Sequence, residues 1–242
     1  MTDRTPPTIL LVDSSTTTLF YHAMLLKRLA YKVVTARSAE EALRLLAKEP
    51  ISLVLTELSL PTMSGIAFLT RIKDTTPLRS IPVVTLTLEN DPALKDTCMR
   101  MGCAAYLQKP VDPRRLYQTI QAVSESIPRA HIRLNTSLKV IVGDGTAMGG
   151  VARTEFATAL SEGGLYVRTL YPQPRNAVTP LHLFINDREI RATAVVLYSY
   201  DLGEGPFQEP GMGMKFVHID DEDRQAIRDF IEKQLTSGIA QP

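Results

Sequence analysis

Four side chains, far apart in the sequence, have types that suit one phosphoryl-handling centre: Asp13, Glu57, Thr87 and Lys109. Each closes a short apolar or β-branched run, as Asp13 does after Ile-Leu-Leu-Val and Lys109 after Ala-Tyr-Leu-Gln. Two carboxylates offer oxygen ligands to a divalent cation, a hydroxyl offers a donor to a phosphoryl oxygen, and an ammonium offers compensating charge. The competing reading is four unrelated polar residues, but the right type at each of four run ends favours a common origin. A second group is Arg129 and Arg133, four apart and free of acidic neighbours. Planar, permanently charged guanidinium groups stack on a base, hold phosphate through paired hydrogen bonds or reach the O6/N7 edge of guanine. Taken alone, the pair is explained equally well by two solvated arginines in a linker.

The elements that must position these residues differ between the two halves. In the first, strand-like runs at Thr8 to Val12, Lys32 to Ala36, Ile51 to Leu55, Pro82 to Thr87 and Ala105 to Gln108 alternate with helical patterns, which predicts a parallel sheet. Ligands of such sheets sit beyond the carboxyl ends of the strands, where the four residues would meet. Ser38 with Glu41 forms a capping box, and Asp91-Pro92 and Asp112-Pro113 each place an N-cap before a proline. Gly102 is a helix stop, and the last helix runs from Pro113 to about Ser126 before Pro128 interrupts it. Beyond lie strand-like runs at Ser137 to Val142, Val151 to Thr158, Leu165 to Leu170, Pro180 to Ile185, Glu189 to Tyr200 and Met212 to Ile219. Turn signals at Asp144-Gly145, Gly163-Gly164, Asn186-Asp187 and Gly203-Glu204-Gly205 predict antiparallel hairpins in a small barrel. A terminal helix capped near Asp220 places Ile227, Phe230, Ile231 and Leu235 on one face.

Composition bounds the function. A chain of 242 residues predicts two domains, and 44% hydrophobic with 22% charged residues excludes disordered and disulfide-scaffold classes. The longest apolar stretches fall well short of the roughly 20 residues a bilayer span needs, so membrane insertion is not expected. The N-terminus, with Asp3, Arg4 and two prolines, lacks the pattern of a secretory signal, and a cytoplasmic location follows. A formal charge of +1, with halves of small and opposite sign, argues against a duplex-DNA partner. Cys98 and Cys103 read as buried thiols, the four histidines have no metal-ligand spacing, and Gly143-Asp-Gly145 with Gly149-Gly150 reads as a turn and not a phosphate loop. No metal site is expected, and oligomeric state is unreadable.

The segments Ile9 to Ser15, Leu53 to Gly65, Pro82 to Thr87 and Gly102 to Pro110 resemble the receiver domain of two-component response regulators, over residues 8 to about 125. The resemblance implies a flavodoxin-like (βα)5 fold of strand order 2-1-3-4-5, with an acidic pair for Mg²⁺, a phospho-accepting aspartate, a Thr/Ser and a Lys. Asp13, Thr87 and Lys109 match, as does the aromatic Tyr106. Ser14 stands where the second acidic residue would be, and Glu57 replaces the phospho-acceptor. Losing a carboxylate weakens the Mg²⁺ site, and the additional methylene of Glu57 carries its oxygens toward the phosphate position. The implied domain is a phosphorylation-independent receiver in which Glu57 imitates the phosphorylated state through Lys109, or simply docks.

Arg129-Ala-His-Ile-Arg133, Ala159-Leu-Ser-Glu-Gly-Gly164 and Gly211-Met-Gly-Met-Lys-Phe216 resemble the PilZ domain, from about residue 128 to 235. That family is a six-stranded barrel, and many members bind cyclic di-GMP through Arg-x-x-x-Arg and (Asp/Asn)-x-Ser-x-x-Gly. The resemblance implies that Arg129 and Arg133 clamp guanine and phosphate, Ser161 donates to phosphate and Gly164 permits a close turn. Ala159 departs from it, lacking the side chain set against the guanine edge, and Pro128 stands where many binders carry a further arginine. An unmade hydrogen bond of this kind costs about 1–3 kcal/mol.

The sequence therefore predicts a pseudo-receiver, residues 1–125, and a PilZ-like β-barrel with a C-terminal helix, residues 128–236, in a bacterial signalling adaptor that is not an enzyme. It is expected to sense cyclic di-GMP and relay it to a signalling or motility protein, with no bound cofactor. The alternative is a constitutive scaffold that neither binds cyclic di-GMP nor is phosphorylated.

Overall fold

A computed structural model of the chain describes residues 7–125, 128–146, 149–204 and 209–239. The expectations for the first six residues, for Ser126 and for Gly205 lie outside these. The chain divides into two compact units, Pro6–Ala130 and His131–Gln234.

The first unit is a five-stranded parallel sheet of order β2-β1-β3-β4-β5. Its elements are β1 (Thr8–Val12), α1 (Thr16–Arg28), β2 (Lys32–Ala36), α2 (Ala39–Leu46), β3 (Leu53–Thr56), α3 (Gly65–Asp74), β4 (Val83–Thr87), α4 (Pro92–Arg100), β5 (Ala105–Gln108) and α5 (Pro113–Ser124). Strands β3 and β4 are buried along their whole length, because helices cover both faces of a parallel sheet, and they read as continuous apolar runs. Two strand starts differ from the sequence reading. Ile51 is buried, but its N–H bonds to Glu49 O in the turn after α2, so β3 begins at Leu53. Pro82 has no N–H to give, so β4 begins at Val83. The predicted caps form: Ser38, Asp91 and Asp112 accept from the first-turn amides of α2, α4 and α5. The return bond of the capping box lands one residue early, from Arg37 N to Glu41 Oε2. Gly102 ends α4 at φ +91°, a left-handed conformation that favours glycine.

The second unit is a closed antiparallel barrel of order β10-β11-β8-β7-β6-β9. It comprises β6 (Leu134–Val142), β7 (Arg153–Ser161), β8 (Gly164–Arg168), β9 (Val178–Ile185), β10 (Arg188–Tyr200) and β11 (Gly211–Ile219), followed by α6 (Asp221–Thr236). Closure removes the sheet edges, and alternate residues of each strand fill the interior. Val140 and Val142 of β6, Ala157 and Leu160 of β7 and Val167 of β8 are among those buried. Strand β6 starts three residues earlier than its apolar run suggests. Leu134 and Asn135 pair with Leu160 and Ala159, and a bulge then absorbs the polar Thr136-Ser137, which read as loop. Pairing with β8, Ser161 against Gly164, extends β7 to Ser161. Helix α6 opens with Asp221, Glu222 and Asp223, favourable beside the unpaired amides of an N-terminus.

Candidate functional site

At the carboxyl edge of the parallel sheet, the chain reversals after β1, β3 and β5 bring three of the predicted residues into contact. Lys109 Nζ donates to Asp13 Oδ2 at 2.5 Å and to Glu57 Oε2 at 2.7 Å, with all three side chains almost fully buried. The remaining carboxylate oxygens are also engaged: Asp13 Oδ1 accepts from Ser15 N at 2.8 Å, and Glu57 Oε1 accepts from Leu58 N at 2.6 Å. Every oxygen of the acidic pair therefore already accepts from a donor of the protein itself. Thr87, the fourth residue, is fully buried and uses its hydroxyl oxygen to accept from Glu89 N at 3.2 Å, while Tyr106 donates from its hydroxyl to Glu89 O at 2.8 Å. Gly65 keeps the loop after Glu57 tight, since a Cβ there would lie 2.4 Å from Glu57 O and 2.6 Å from Leu58 Cα.

One residue near this site has no motif to announce it. His22 on α1 is buried, and its Nδ1 donates to Thr18 O at 3.0 Å. Burial, aided by the Lys109 charge, holds its pKa down at about 4, so the ring is neutral at physiological pH.

The arginine segment crosses from one unit to the next. Arg129 is exposed, and its backbone N–H donates to Gln121 Oε1 at 3.0 Å, while Gln121 Nε2 donates to the Tyr31 hydroxyl at 2.9 Å. Arg133 lies just before β6, exposed between the buried Ile132 and Leu134. Since Leu134 pairs with Leu160, Arg133 stands beside the Ser161 end of β7. The turn Glu162-Gly163 closes the β7–β8 hairpin, with Ser161 paired to Gly164. Ser161 Oγ donates to Gly164 O at 3.0 Å, which spends its proton inside the hairpin. At Gly164, a Cβ would lie 2.1 Å from Met214 O, so the glycine admits the backbone of β11.

Sequence reasoning missed the supports of this hairpin. Glu162 is buried at the turn, where its carboxylate accepts from Arg228 Nε at 3.0 Å, with Arg228 Nη2 ion-paired to the same oxygen at 3.0 Å, and its carbonyl accepts from Arg224 Nη1 at 3.0 Å. Both arginines come from α6, at the four-residue spacing that puts them on one face. His131 Nδ1 lies 4.0 Å from Glu162 Oε2, and a Cβ on Gly163 would meet the His131 ring at 3.0 Å. The signal was a lone acidic residue inside a glycine turn, which reads as solvated until its partners are known. A cavity of about 190 Å³ opens at the far end of β6, among Val142, Arg153, Glu155, Thr169, Tyr171 and Met212. Its polar groups are satisfied locally, Thr169 donating to Glu155 at 2.7 Å and Arg153 lying 4.1 Å over the Tyr171 ring. Among the described residues, no group of three His, Cys, Asp or Glu side chains could hold a metal ion, and no helix is long and apolar enough to cross a membrane.

A five-stranded parallel sheet with this acidic edge, followed by a six-stranded barrel, defines a signalling protein of two regulatory domains. The response regulator receiver domain family matches residues 9–121, and the PilZ domain family matches residues 126–233. Two-component response regulator ORR11 of Oryza sativa subsp. indica is 35% identical over 109 residues, 45% of this chain and 74% of the rice protein. Two-component response regulator ORR3 of the same subspecies is 33% identical over 108 residues, 44% of this chain and 82% of the relative. Among solved structures, the signal receiver domain of an HD domain-containing protein from Pseudomonas fluorescens Pf-5 is 35% identical, covering 49% of this chain and 94% of its own, with a TM-score of 0.46. The Vibrio cholerae chemotaxis protein CheY4 is 27% identical, covering 49% and 99%, with a TM-score of 0.47. The chain belongs to the two-component response regulators and carries a PilZ domain behind its receiver. Both domains are of regulatory rather than catalytic families, and together they make the chain a signalling adaptor.

Proposed function

We propose that this adaptor senses cyclic di-GMP through its barrel and relays the signal to a protein partner, while its receiver works without phosphorylation. The observation that carries the barrel reading is the placement of Arg133 beside the Ser161 end of β7, with Arg129 four residues earlier in the same exposed segment. A ligand with two guanines and two phosphates matches two guanidinium groups, which hold phosphate through paired donors and guanine through its O6/N7 edge.

The receiver reading rests on Lys109, whose ammonium occupies the space between the acidic residues. Mg²⁺ does not fit this donor set: Ser14 supplies no third carboxylate, and each oxygen of Asp13 and Glu57 is already held by a protein donor. Glu57 is also a residue whose acylphosphate would have to form against a bound ammonium. The domain is accordingly a fixed docking module whose Glu57–Lys109 pair stands in for a phosphorylated aspartate and its lysine.

Calorimetric titration of the full chain with cyclic di-GMP tests the reading, with an Arg129→Ala/Arg133→Ala double variant as control. Binding at low micromolar or tighter, abolished in the double variant, supports a second-messenger receptor. A second reading, the constitutive scaffold, is favoured by Ala159 and by the internal Ser161–Gly164 hydrogen bond. Absence of both heat and thermal shift at high ligand concentration selects it.

A further inference from the structure

The chain departs from the cyclic di-GMP motif most plainly at Ala159, where a methyl group replaces a carboxylate or carboxamide. The barrel register places a carboxamide directly beside that methyl group. Asn135 of β6 is the Cα partner of Ala159 of β7. Directly opposed residues of an antiparallel pair project onto the same face, with Cβ atoms about 4.5–5.5 Å apart. The face is the outer one, since the flanking Leu134 and Leu160 are buried and Asn135 is exposed. Arg133 of the proposed ligand segment, and Ser161 beside it, lie one step further toward the same barrel end.

We infer that Asn135 supplies, from the neighbouring strand, the hydrogen bonds to the guanine edge that Ala159 cannot make. Three observations support this. Among the described residues, no hydrogen bond engages the Asn135 carboxamide, so its carbonyl and amide are available to a ligand. A bulge follows Asn135 immediately, and bulges re-aim the side chains beside them. On the other side of Ala159, its β8 partner Tyr166 is engaged elsewhere, with its hydroxyl donating to Glu209 O at 3.2 Å and its ring stacked on Tyr198 at 6.4 Å and 29°. The small side chain of Ala159 thus leaves a step between the Asn135 carboxamide and the Tyr166 ring. A carboxamide there accepts from the guanine N1–H and 2-amino group with its oxygen, the same chemistry a side chain at position 159 would perform.

This inference rests on the cyclic di-GMP reading, and the test separates the two. Titrations of the full chain with cyclic di-GMP compare the parent with Asn135→Ala, Asn135→Asp and the double variant Asn135→Ala/Ala159→Asn, each with its thermal midpoint recorded. Asn135→Ala is expected to weaken binding about tenfold at an unchanged midpoint. Asn135→Asp, which keeps the acceptor oxygens, and the double variant, which moves the carboxamide across the strand pair, are expected to restore most of the loss. Parent binding that Asn135→Ala leaves unaltered overturns the role of Asn135 while the receptor reading stands. Loss of binding that neither rescue variant repairs overturns it equally, marking Asn135 as a structural residue. A parent chain that binds no cyclic di-GMP overturns both.

Discussion

The Lys109 ammonium lies 2.7 Å from Glu57 Oε2, each side chain more than nine-tenths buried, and the same nitrogen also reaches Asp13. Removing the lysine is therefore unlike removing either acid. Lys109→Met leaves two carboxylates facing each other out of water, and should cost roughly 3–5 kcal/mol of stability, because a broken buried pair strands uncompensated charge. Glu57→Gln leaves Lys109 paired with Asp13 and should cost clearly less. Urea denaturation of the three chains measures the order; equal losses would contradict the shared-ammonium arrangement.

Incubation with acetyl phosphate and Mg²⁺ should leave the intact mass of the chain unchanged. The double substitution Ser14→Asp/Glu57→Asp restores the acidic set and shortens the acceptor, and it should gain a phosphoryl adduct. Labelling of the parent chain would refute the proposal that its receiver is independent of phosphorylation.

The hairpin turn at Glu162 is tied to α6 by Arg228, which donates from Nε to Glu162 Oε2 and pairs with the same oxygen through Nη2. Arg228→Ala leaves a buried carboxylate short of its main partner and should destabilise the barrel by about 1–3 kcal/mol. In a double-mutant cycle with Glu162→Gln, the losses should fall well short of additivity. Additive losses would mean that the pair contributes no coupling.

Gly164→Ala places a methyl group 2.1 Å from Met214 O, on backbone that cannot rotate away. The pairing of β8 with β11 must shift, and the thermal midpoint should fall by several degrees, corresponding to a loss of about 1–3 kcal/mol. Gly145→Ala, where among the described residues no atom lies within 4 Å of the added carbon, meets the strain of its φ of +80° and should be milder. A ranking in the other direction would rule out steric packing as the role of Gly164.

His22 titrates near 4 in the folded chain and near 6.5 when unfolded. Between these values the unfolded state binds more protons, so folding stability from this residue is complete above pH 6.5 and declines as pH falls toward 4. The full loss amounts to about 3 kcal/mol. His22→Leu should flatten the slope of unfolding free energy across pH 4–6.5; an unchanged slope would show that the ring is not held neutral.

The sequence by itself determined both architectures, because each rests on local, periodic signals. Runs of apolar and β-branched residues ending at Asp13, Glu57, Thr87 and Lys109 mark the parallel strands, and caps at Ser38, Asp91 and Asp112 mark the helices between them. Turn glycines and alternating strands likewise mark the barrel. Strand starts were harder to read where a polar stretch joins a ladder, as at Leu134 to Ser137, since pairing with β7 and not propensity decides that segment. Tertiary structure alone decided which charged groups meet. Lys109 reaches both Glu57 and Asp13 because three separate strands end at one sheet edge. Glu162 is buried because α6, some sixty residues later, brings Arg224 and Arg228 to its turn. Asn135 faces Ala159 because an antiparallel register, which no local pattern encodes, sets them side by side.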